Sequence, residues 1–322
     1  MENKEFNVPE ARERVLEEVH KVVVGQDGPL DLMLLAMLCG GHCLLKGVPG
    51  VGKTLMASNL AKVLQVDFNR VQFTPDMMPA DITGGEVLEE NEGKFDRRFL
   101  PGPVFTNFLL ADEINRTPPK TQASLLQAMQ ERQVSVGNET YPLVEPFMVV
   151  ATQNPIEMEG TYALPEAQLD RFLFNIEVTY PTQEEELGIV KGQTGNEADA
   201  PQPVLSAEQI MDLRKEVRGV PMADDVSLLA VRLASATRPG EKEAPDLVNQ
   251  FVEVGASPRA SLALALGAKA KALLAGRTHV DFADVKALAL PVLRHRLVMN
   301  FRSRAEKVSA DQVIEAVVEA IN

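Results

Sequence analysis

The chain has 322 residues, of which 45% are hydrophobic and 24% charged, a composition typical of globular proteins. Its formal net charge of −14 disfavours generic binding to nucleic acid through the phosphate backbone, and it disfavours attraction to an anionic membrane surface. The length predicts two domains, or one large domain with a smaller one.

The first segments predict a cytoplasmic protein that begins with two helices. Residues 1–6 contain no apolar stretch of the signal-peptide type, and no apolar run of the chain is long enough to insert across a membrane. Valines at helical spacing predict an amphipathic helix over residues 8–22. An almost uniformly apolar segment predicts a buried helix over residues 28–39.

Cys39 and Cys43 are the two cysteines of the chain. They could form half of a zinc site, but no second Cys/His pair completes a set of four ligands. We interpret them as small buried residues in a helix-to-strand turn. Two free thiols without a disulfide framework fit a reducing compartment.

Apolar strands alternating with helices follow, and this pattern predicts an α/β fold. Strands are predicted at Cys43–Leu45, Phe68–Phe73, Val104–Ala111, Phe147–Ala151 and Phe172–Val178. Helices are predicted at Leu55–Leu64 and Pro118–Gln130, and a hairpin is predicted at Gln133–Val136 with Glu139–Leu143, around Gly137-Asn138. Continuously apolar strands indicate a parallel sheet covered by helices on both faces. Asp76–Pro103, rich in Gly, Pro and charge, interrupts the pattern and is typical of a functional insertion.

The strands end after Tyr180-Pro181, and the rest of the chain predicts a second domain. From Ser206 onward every segment is predicted to be helical, most clearly Asp281–Leu293 and Ala310–Ile321. The predicted organisation is an α/β core over residues 1–191, a Gly- and Pro-containing linker over 192–204, and an all-helical domain over 205–322.

A glycine-rich turn after the first strand predicts a phosphate-binding loop. Gly47-Val48-Pro49-Gly50-Val51-Gly52-Lys53-Thr54 matches the pattern G-x-x-x-x-G-K-[ST] between a strand and a helix. Glycines let backbone N–H groups turn toward a phosphate, Lys53 brings a charge to the β- and γ-phosphates, and Thr54 offers a hydroxyl to Mg²⁺. The loop therefore predicts binding of ATP and Mg²⁺.

Asp112 and Glu113 follow an apolar strand and have the Walker B form. We expect Asp112 to hold Mg²⁺, directly or through water, and Glu113 to polarise the attacking water as general base. Both come at the carboxyl end of a strand, where open parallel sheets bind ligands. At this spacing from a phosphate loop, the pair predicts ATP hydrolysis.

Asn154 and Arg171 are two further polar residues beside predicted strands. An amide at position 154 can orient the water or contact the γ-phosphate, whereas a turn former before Pro155 is the structural alternative. Arg171 can stabilise charge in the transition state. An ion pair with Asp170 is the structural alternative for Arg171.

Together these residues resemble the AAA+ ATPases, and more narrowly the MoxR family, over nearly the whole chain. The resemblance is carried by Val24-Gly25-Gln26, Gly47–Thr54, Ala111–Arg116, Ala151–Pro155, Glu159–Tyr162, Leu164–Ala167, Gln168–Phe172 and Ser257–Arg259. It implies an AAA+ P-loop core with a five-stranded parallel sheet between two helical layers, followed by an all-α lid domain. It also implies an insert in the second core helix, and Asp81–Phe99 fits this insert. It further implies a hairpin before the polar residue called sensor 1.

The resemblance implies roles for residues around the nucleotide. It assigns Val24 and Gly25 to the adenine pocket, and the loop Gly47–Thr54 with Leu55 to nucleotide binding. Asn154 resembles sensor 1.

The resemblance also implies that the site needs a second subunit. Arg171 resembles an arginine finger that reaches the ATP of a neighbouring copy, which implies a ring, usually a hexamer. Arg259 resembles sensor 2 on the lid, and whether it serves its own ATP or a neighbour's stays open. Arg116 and Arg132 are additional candidates near the interface, with ordinary surface arginines as the alternative.

Three functions remain to be separated. The family is similar to chaperone-like remodellers, which often work with von Willebrand factor A-domain proteins, so we expect ATP-driven remodelling or maturation of partner proteins and no nucleic-acid partner. A nucleic-acid motor is the second hypothesis, since helicase-type relatives share the insert. The acidic character of the insert disfavours it. Its charged residues include Glu86, Glu89, Glu90 and Glu92 on the acidic side and Lys94, Arg97 and Arg98 on the basic side. The third is a nucleotide-bound scaffold without hydrolysis, which the presence of Glu113, Asn154 and Arg171 disfavours.

Overall fold

A computed structural model describes residues 7–91, 94–154, 160–195 and 199–321 of the chain. Glu92, Pro155 and Glu159, which enter the sequence-based predictions, lie outside the described residues, as do the side chains of Glu90 and Lys94.

The chain alternates between helices and strands in its first half and is mainly helical in its second. The strands are β1 (Cys43–Gly47), β2 (Phe68–Gln72), β3 (Gly84–Asn91), β4 (Lys94–Pro101), β5 (Phe108–Asp112), β6 (Gln133–Val136), β7 (Glu139–Pro142), β8 (Met148–Gln153), β9 (Phe174–Val178), β10 (Val252–Val254) and β11 (Val298–Met299). The helices are α1 (Val8–His20), α2 (Asp27–Cys39), α3 (Lys53–Val63), α4 (Pro79–Thr83), α5 (Pro119–Glu131), α6 (Glu166–Leu169), α7 (Gln183–Thr194), α8 (Ala207–Gly219), α9 (Asp224–Ser235), α10 (Asp246–Phe251), α11 (Pro258–Leu274), α12 (Phe282–Ala287), α13 (Ala289–Leu293), α14 (Phe301–Glu306) and α15 (Ala310–Ala320).

A five-stranded parallel sheet with the order β2–β5–β8–β1–β9 forms the centre of the first half. Its side chains alternate between two apolar clusters, so that Leu44 joins one cluster while Cys43 and Leu45 join the other. Every residue of β5 is buried, which explains its continuously apolar sequence. The predicted α/β architecture with helices over both faces is confirmed.

Two antiparallel hairpins project from this core. The pair β6–β7 is the hairpin expected around Gly137, whose φ of +60° suits a tight turn. The pair β3–β4 lies within the segment that interrupts the α/β pattern, where the sequence predicted an insertion but no strands. The two hairpins touch, because the rings of Phe99 and Tyr141 stack with centroids 4.0 Å apart.

Several predicted elements differ from those in the structure. Val104 is buried but belongs to a turn, in which Phe105 N donates to Gly102 O, so β5 begins only at Phe108. The helix predicted over 281–293 is two helices, because Pro291 has no N–H to donate to Ala287, four residues before it. The prediction that every segment after Ser206 is helical is wrong for the short ribbon formed by β10 and β11.

Helix α7 covers the first three residues of the segment predicted as a linker, since it continues to Thr194. The domain boundaries themselves stay predictions. Among the described residues, none of the helices combines the length and the apolar character required to cross a bilayer.

Candidate nucleotide site

The predicted phosphate loop connects β1 to α3 at the carboxyl edge of the sheet. Gly50 and Gly52 have φ values of +83° and +82°, a conformation that residues with a Cβ rarely adopt. Gly47 is required for a different reason, since a Cβ there would lie 2.6 Å from Val178 O on β9. Because α3 begins at Lys53, its unpaired N–H groups and positive dipole end face the loop.

Lys53 lies across this loop. Its ammonium donates hydrogen bonds to Gly47 O and, at 3.2 Å, to Val48 O. Partial burial lowers the pKa of Lys53, while the nearby carboxylates of Asp112 and Glu113 act in the opposite direction. The side chain is therefore held within the loop, at the point where a bound phosphate would need a cation.

Asp112 is buried at the end of β5 with both carboxylate oxygens engaged. Oδ1 accepts a hydrogen bond from Thr152 Oγ1 at 2.6 Å, and Oδ2 lies 3.5 Å from Thr54 Oγ1. A carboxylate and a hydroxyl oxygen that converge in this way fit the oxygen ligands that Mg²⁺ prefers. The predicted metal residues Thr54 and Asp112 are thus adjacent.

Arg70 was not predicted to belong to this site. It projects from β2 and donates to Asp112 Oδ2 from Nη2 at 2.7 Å and from Nε at 3.1 Å. No local motif marks it, because β2 and β5 become neighbours only when the sheet forms.

Glu113 sits in the left-handed backbone conformation with φ of 57°, which turns its side chain away from that of Asp112. Its backbone N–H donates to Thr152 Oγ1 at 2.8 Å. Its Oε2 accepts hydrogen bonds from Gln72 Nε2 at 2.7 Å and from Arg116 Nη1 at 2.9 Å. Arg116, expected near an interface, therefore contacts the Walker B glutamate of its own chain.

A cavity of about 390 Å³ brings together two of the predicted catalytic residues, Glu113 and Asn154. Asn154 is buried just beyond β8 and lines this cavity with Lys53, Thr54 and Glu113. The loop, the two acidic residues and Asn154 all follow parallel strands of one sheet. Their side chains can therefore act on one phosphate chain.

A second cavity of about 690 Å³ adjoins the first and shares Gly50, Gly52 and Leu55 with it. Val24 lines it, as predicted for a base pocket, and its size is typical of small-ligand sites. Gly25 is absent from the described lining residues. It packs instead against α7, where a Cβ would lie 2.2 Å from Glu185 Oε1.

One face of α7 forms a wall of this second cavity, which the sequence analysis missed. Gly188, Ile189 and Gly192 line the cavity, and the two glycines are four residues apart on one face of the helix. Paired glycines at this spacing are the signal in the sequence for this wall, whereas the predicted linker over 192–204 included Gly192.

Arg171 and Arg259 lie at the opposite edge of the sheet. Both line a small cavity of about 230 Å³ together with His42, which directly precedes β1, whereas the phosphate loop follows the end of β1. A five-residue strand separates these edges by about 16 Å. Neither guanidinium therefore faces the phosphate loop of its own chain.

Arg171 and Asp170 bind different partners and not each other. Arg171 Nη1 donates to Leu126 O at 2.8 Å, while Asp170 pairs with Arg296 at 2.8 Å and lies 3.6 Å from Arg259. The ion pair with Asp170, which was the structural alternative for Arg171, is therefore not formed: Asp170 pairs with other arginines. Arg132, another interface candidate, donates to Glu145 and to Gly40 O.

Comparisons with known proteins agree with this geometry. Residues 42–174 match the model of the ATPase family associated with various cellular activities (AAA), and residues 245–317 match the AAA lid domain. The chain is 44% identical to Chaperone MoxR1 of Mycobacterium tuberculosis, covering 96% of this chain and 81% of that protein. It is 31% identical to Protein MoxR of Methylorubrum extorquens, covering 97% and 95%.

A solved structure gives the same result for the fold. The crystal structure of a putative ATPase from Cytophaga hutchinsonii superposes with a TM-score of 0.90 at 40% identity, covering 98% of this chain and 95% of that chain. The resemblance inferred from the sequence motifs is thereby confirmed.

Proposed function

The chain belongs to the MoxR family of AAA+ ATPases, and we propose that its ATP is hydrolysed at sites shared between neighbouring copies in a ring. The observation that carries this proposal is the separation of the phosphate loop from Arg171 and Arg259 across the sheet. We call the edge of the sheet with Arg171 and Arg259 the arginine edge, and the edge with the loop Gly47–Thr54 the phosphate edge. A second copy can present its arginine edge to the phosphate edge of the first. Such a head-to-tail contact repeats into a closed ring, usually a hexamer in this superfamily.

Within one copy, we assign the chemistry to the groups at the carboxyl edge. Thr54 and Asp112 would hold Mg²⁺, which when bound offsets charge on the phosphates. Glu113 acts as general base, and Asn154 orients the water. Lys53 stays beside the transferred phosphoryl group, where its charge stabilises the transition state.

The neighbouring copy supplies the remaining positive charge. Arg171 is the arginine finger, since it is permanently charged and lies at the edge away from its own loop. Arg259 shares its cavity, which supports a role for Arg259 at the neighbour's ATP rather than at its own.

We propose that turnover drives the remodelling or maturation of partner proteins, together with a von Willebrand factor A-domain protein. The similarity to Chaperone MoxR1 supports a chaperone role. The β3–β4 hairpin supports protein rather than nucleic-acid contact. It exposes Leu88, and its two described arginines, Arg97 and Arg98, face Glu86 and Glu89 at 3.4 Å and 3.5 Å.

Subunit mixing tests the composite site. Arg171→Ala should bind nucleotide but lose turnover, and Lys53→Ala should lose nucleotide binding but keep its finger. An equimolar mixture should regain about one quarter of the active sites, because that fraction joins an intact loop to an intact finger. Arg302→Ala, which removes an exposed lid arginine paired with Glu306, is the matched control. An inactive mixture at every ratio would disprove the trans finger.

A further inference from the structure

Arg296 is a lid arginine whose side chain is buried against the segment that carries Arg171. Only 3% of its side chain is exposed, although guanidinium groups are among the most costly groups to bury. It lies in the part of the chain that matches the AAA lid, whereas Arg171 lies in the part that matches the AAA core. Arg296 therefore joins the two parts at the arginine edge.

The guanidinium of Arg296 binds the chain on both sides of Arg171. Nε donates to Asp170 Oδ1 at 2.8 Å, and Nη2 donates to Phe172 O at 2.7 Å and to Asp170 O at 3.4 Å. Nη1 donates to Leu173 O at 3.2 Å and to Val292 O. A planar fork with this many fixed donors holds backbone far more rigidly than a single ion pair does.

Asp170 extends the same connection to Arg259. Its Oδ2 accepts a hydrogen bond from Ser257 Oγ at 3.0 Å and lies 3.6 Å from Arg259 Nη1. Ser257 also caps α11 by accepting the backbone N–H of Arg259 at 3.2 Å. One carboxylate thus contacts the buried lid arginine, the cap of the helix that carries Arg259, and Arg259 itself.

We infer that Asp170 and Arg296 form a positioning pair, which fixes Arg171 of the core relative to Arg259 of the lid. This inference rests on the proposed trans role of the two arginines. Asp170 lines the cavity that holds Arg171 and Arg259, and neither Asp170 nor Arg296 is among the described residues that line the two cavities beside the phosphate loop. The pair acts by setting where Arg171 and Arg259 stand when a neighbouring copy presents its ATP.

Arg294 provides a matched control two residues earlier in the lid. It is also largely buried, pairs with Asp311 at 2.6 Å, and reaches β9 through Asn175 O at 3.4 Å. Its hydrogen bonds and ion pairs go to β9 and α15, not to residues 170–173. Arg294→Gln therefore removes a buried lid arginine but leaves the hydrogen bonds to residues 170–173 intact.

The test compares Arg296→Gln, Asp170→Asn, the double variant and Arg294→Gln in the full chain. Arg296→Gln should lower turnover about 10- to 100-fold, the effect of misplacing a catalytic group by roughly 1 Å, while nucleotide affinity is retained. Mixing with Lys53→Ala should restore sites, because Lys53→Ala copies supply a correctly held finger. The double variant should be no worse than the poorer single variant.

Hydrogen exchange gives a readout that does not depend on activity. Backbone amides of residues 169–173 should exchange faster in Arg296→Gln than in Arg294→Gln. Arg296→Lys should fall between wild type and Arg296→Gln, since lysine keeps the charge but lacks the fork.

Several outcomes would overturn the inference. These are equal turnover in Arg296→Gln and Arg294→Gln, unchanged exchange over residues 169–173, or a parallel loss of nucleotide affinity. If Arg296→Gln does not fold, the near-isosteric Asp170→Asn decides, and wild-type turnover and exchange in that variant would overturn it as well. Failure of the Arg171→Ala mixture would instead refute the composite site itself, so the two failures are distinguishable.

Discussion

Arg70 and Asp112 form an ion pair across neighbouring strands, directly at the predicted metal position. Arg70 Nη2 lies 2.7 Å from Asp112 Oδ2, the same oxygen that lies 3.5 Å from the Thr54 hydroxyl. A cation bound between Thr54 and Asp112 would share this oxygen with the guanidinium. Arg70 therefore competes with Mg²⁺ for the carboxylate.

Arg70→Gln should tighten Mg²⁺ binding, because it removes a positive charge and frees Asp112 Oδ2. A half-exposed ion pair contributes up to about 1 kcal/mol, which corresponds to about two- to fivefold less Mg²⁺ at half-saturation. The measurement is a Mg²⁺ titration of the affinity for a fluorescent ADP analogue. Arg98→Gln, which breaks an exposed pair with Glu89, is the control. A higher Mg²⁺ requirement in Arg70→Gln would contradict the competition.

Glu113→Gln should bind ATP with wild-type affinity and lose turnover about 10²- to 10⁴-fold, since the amide cannot accept a proton from water. The substitution keeps the shape of the side chain, and its amide oxygen can still accept from Gln72 and Arg116. Steady-state phosphate release and equilibrium binding of ATP separate the two effects. Turnover within a few-fold of wild type would remove Glu113 from the role of general base.

Gly192→Leu should block the larger cavity without unfolding the chain. A Cβ at Gly192 meets no atom within 4 Å, and the position is helical, so the backbone tolerates the change. The added side chain lies at the wall of the larger cavity, which is the predicted base pocket, and we expect nucleotide affinity to fall about tenfold or more, a loss of about 1.4 kcal/mol.

Gly219→Leu is the matched control for this change, since Gly219 is also helical with open space at its Cβ and lies outside both nucleotide cavities. Unfolding temperatures should be similar in the two variants. Wild-type affinity in Gly192→Leu would mean that α7 does not border the bound base.

His42 should make the free energy of unfolding depend on pH. It is buried, accepts a hydrogen bond from Val149 N at 3.0 Å through Nδ1, and contacts Met129 O at 3.2 Å through Nε2, which assigns a neutral imidazole. Burial lowers its pKa from 6.5 to about 4. Between these values the unfolded state binds more protons, so stability is full above pH 6.5 and falls as the pH is lowered toward 4.

When the pH is lowered from 7.5 to 5.5, His42 alone should reduce the free energy of unfolding by about 1.4 kcal/mol. Denaturant unfolding at the two pH values measures this difference. His42→Gln should reduce the pH dependence, even though it lowers the stability at every pH. His279→Gln, at an exposed histidine, should leave the dependence unchanged. His295 is also buried with its pKa lowered well below 6.5, so it adds a second contribution in the same direction. An identical slope in wild type and His42→Gln would contradict the assignment.

Those parts of the protein whose chemistry depends on consecutive residues could be predicted without a structure. The phosphate loop Gly47–Thr54 needs only glycines, a lysine and a hydroxyl in consecutive positions, and Asp112 and Glu113 need only the end of an apolar strand. Continuous apolar runs identified the inner strands β5 and β8 of the parallel sheet, because strands buried on both faces carry few polar residues. Bounds were less well predicted, since buried turn residues such as Val104 are as apolar as a strand.

Contacts between residues far apart in the chain became known only from the folded structure. Arg70 reaches Asp112 because β2 pairs with β5, and Gly192 lines the larger cavity because α7 packs beside Val24. The sequence predicted Arg171 as a candidate finger. It did not predict at which edge of the sheet Arg171 lies, or that Arg296 donates hydrogen bonds to the residues beside it. Sequence motifs report groups that act through adjacent positions of the backbone, whereas contacts between elements depend on strand order and on the docking of the lid, which no local pattern encodes.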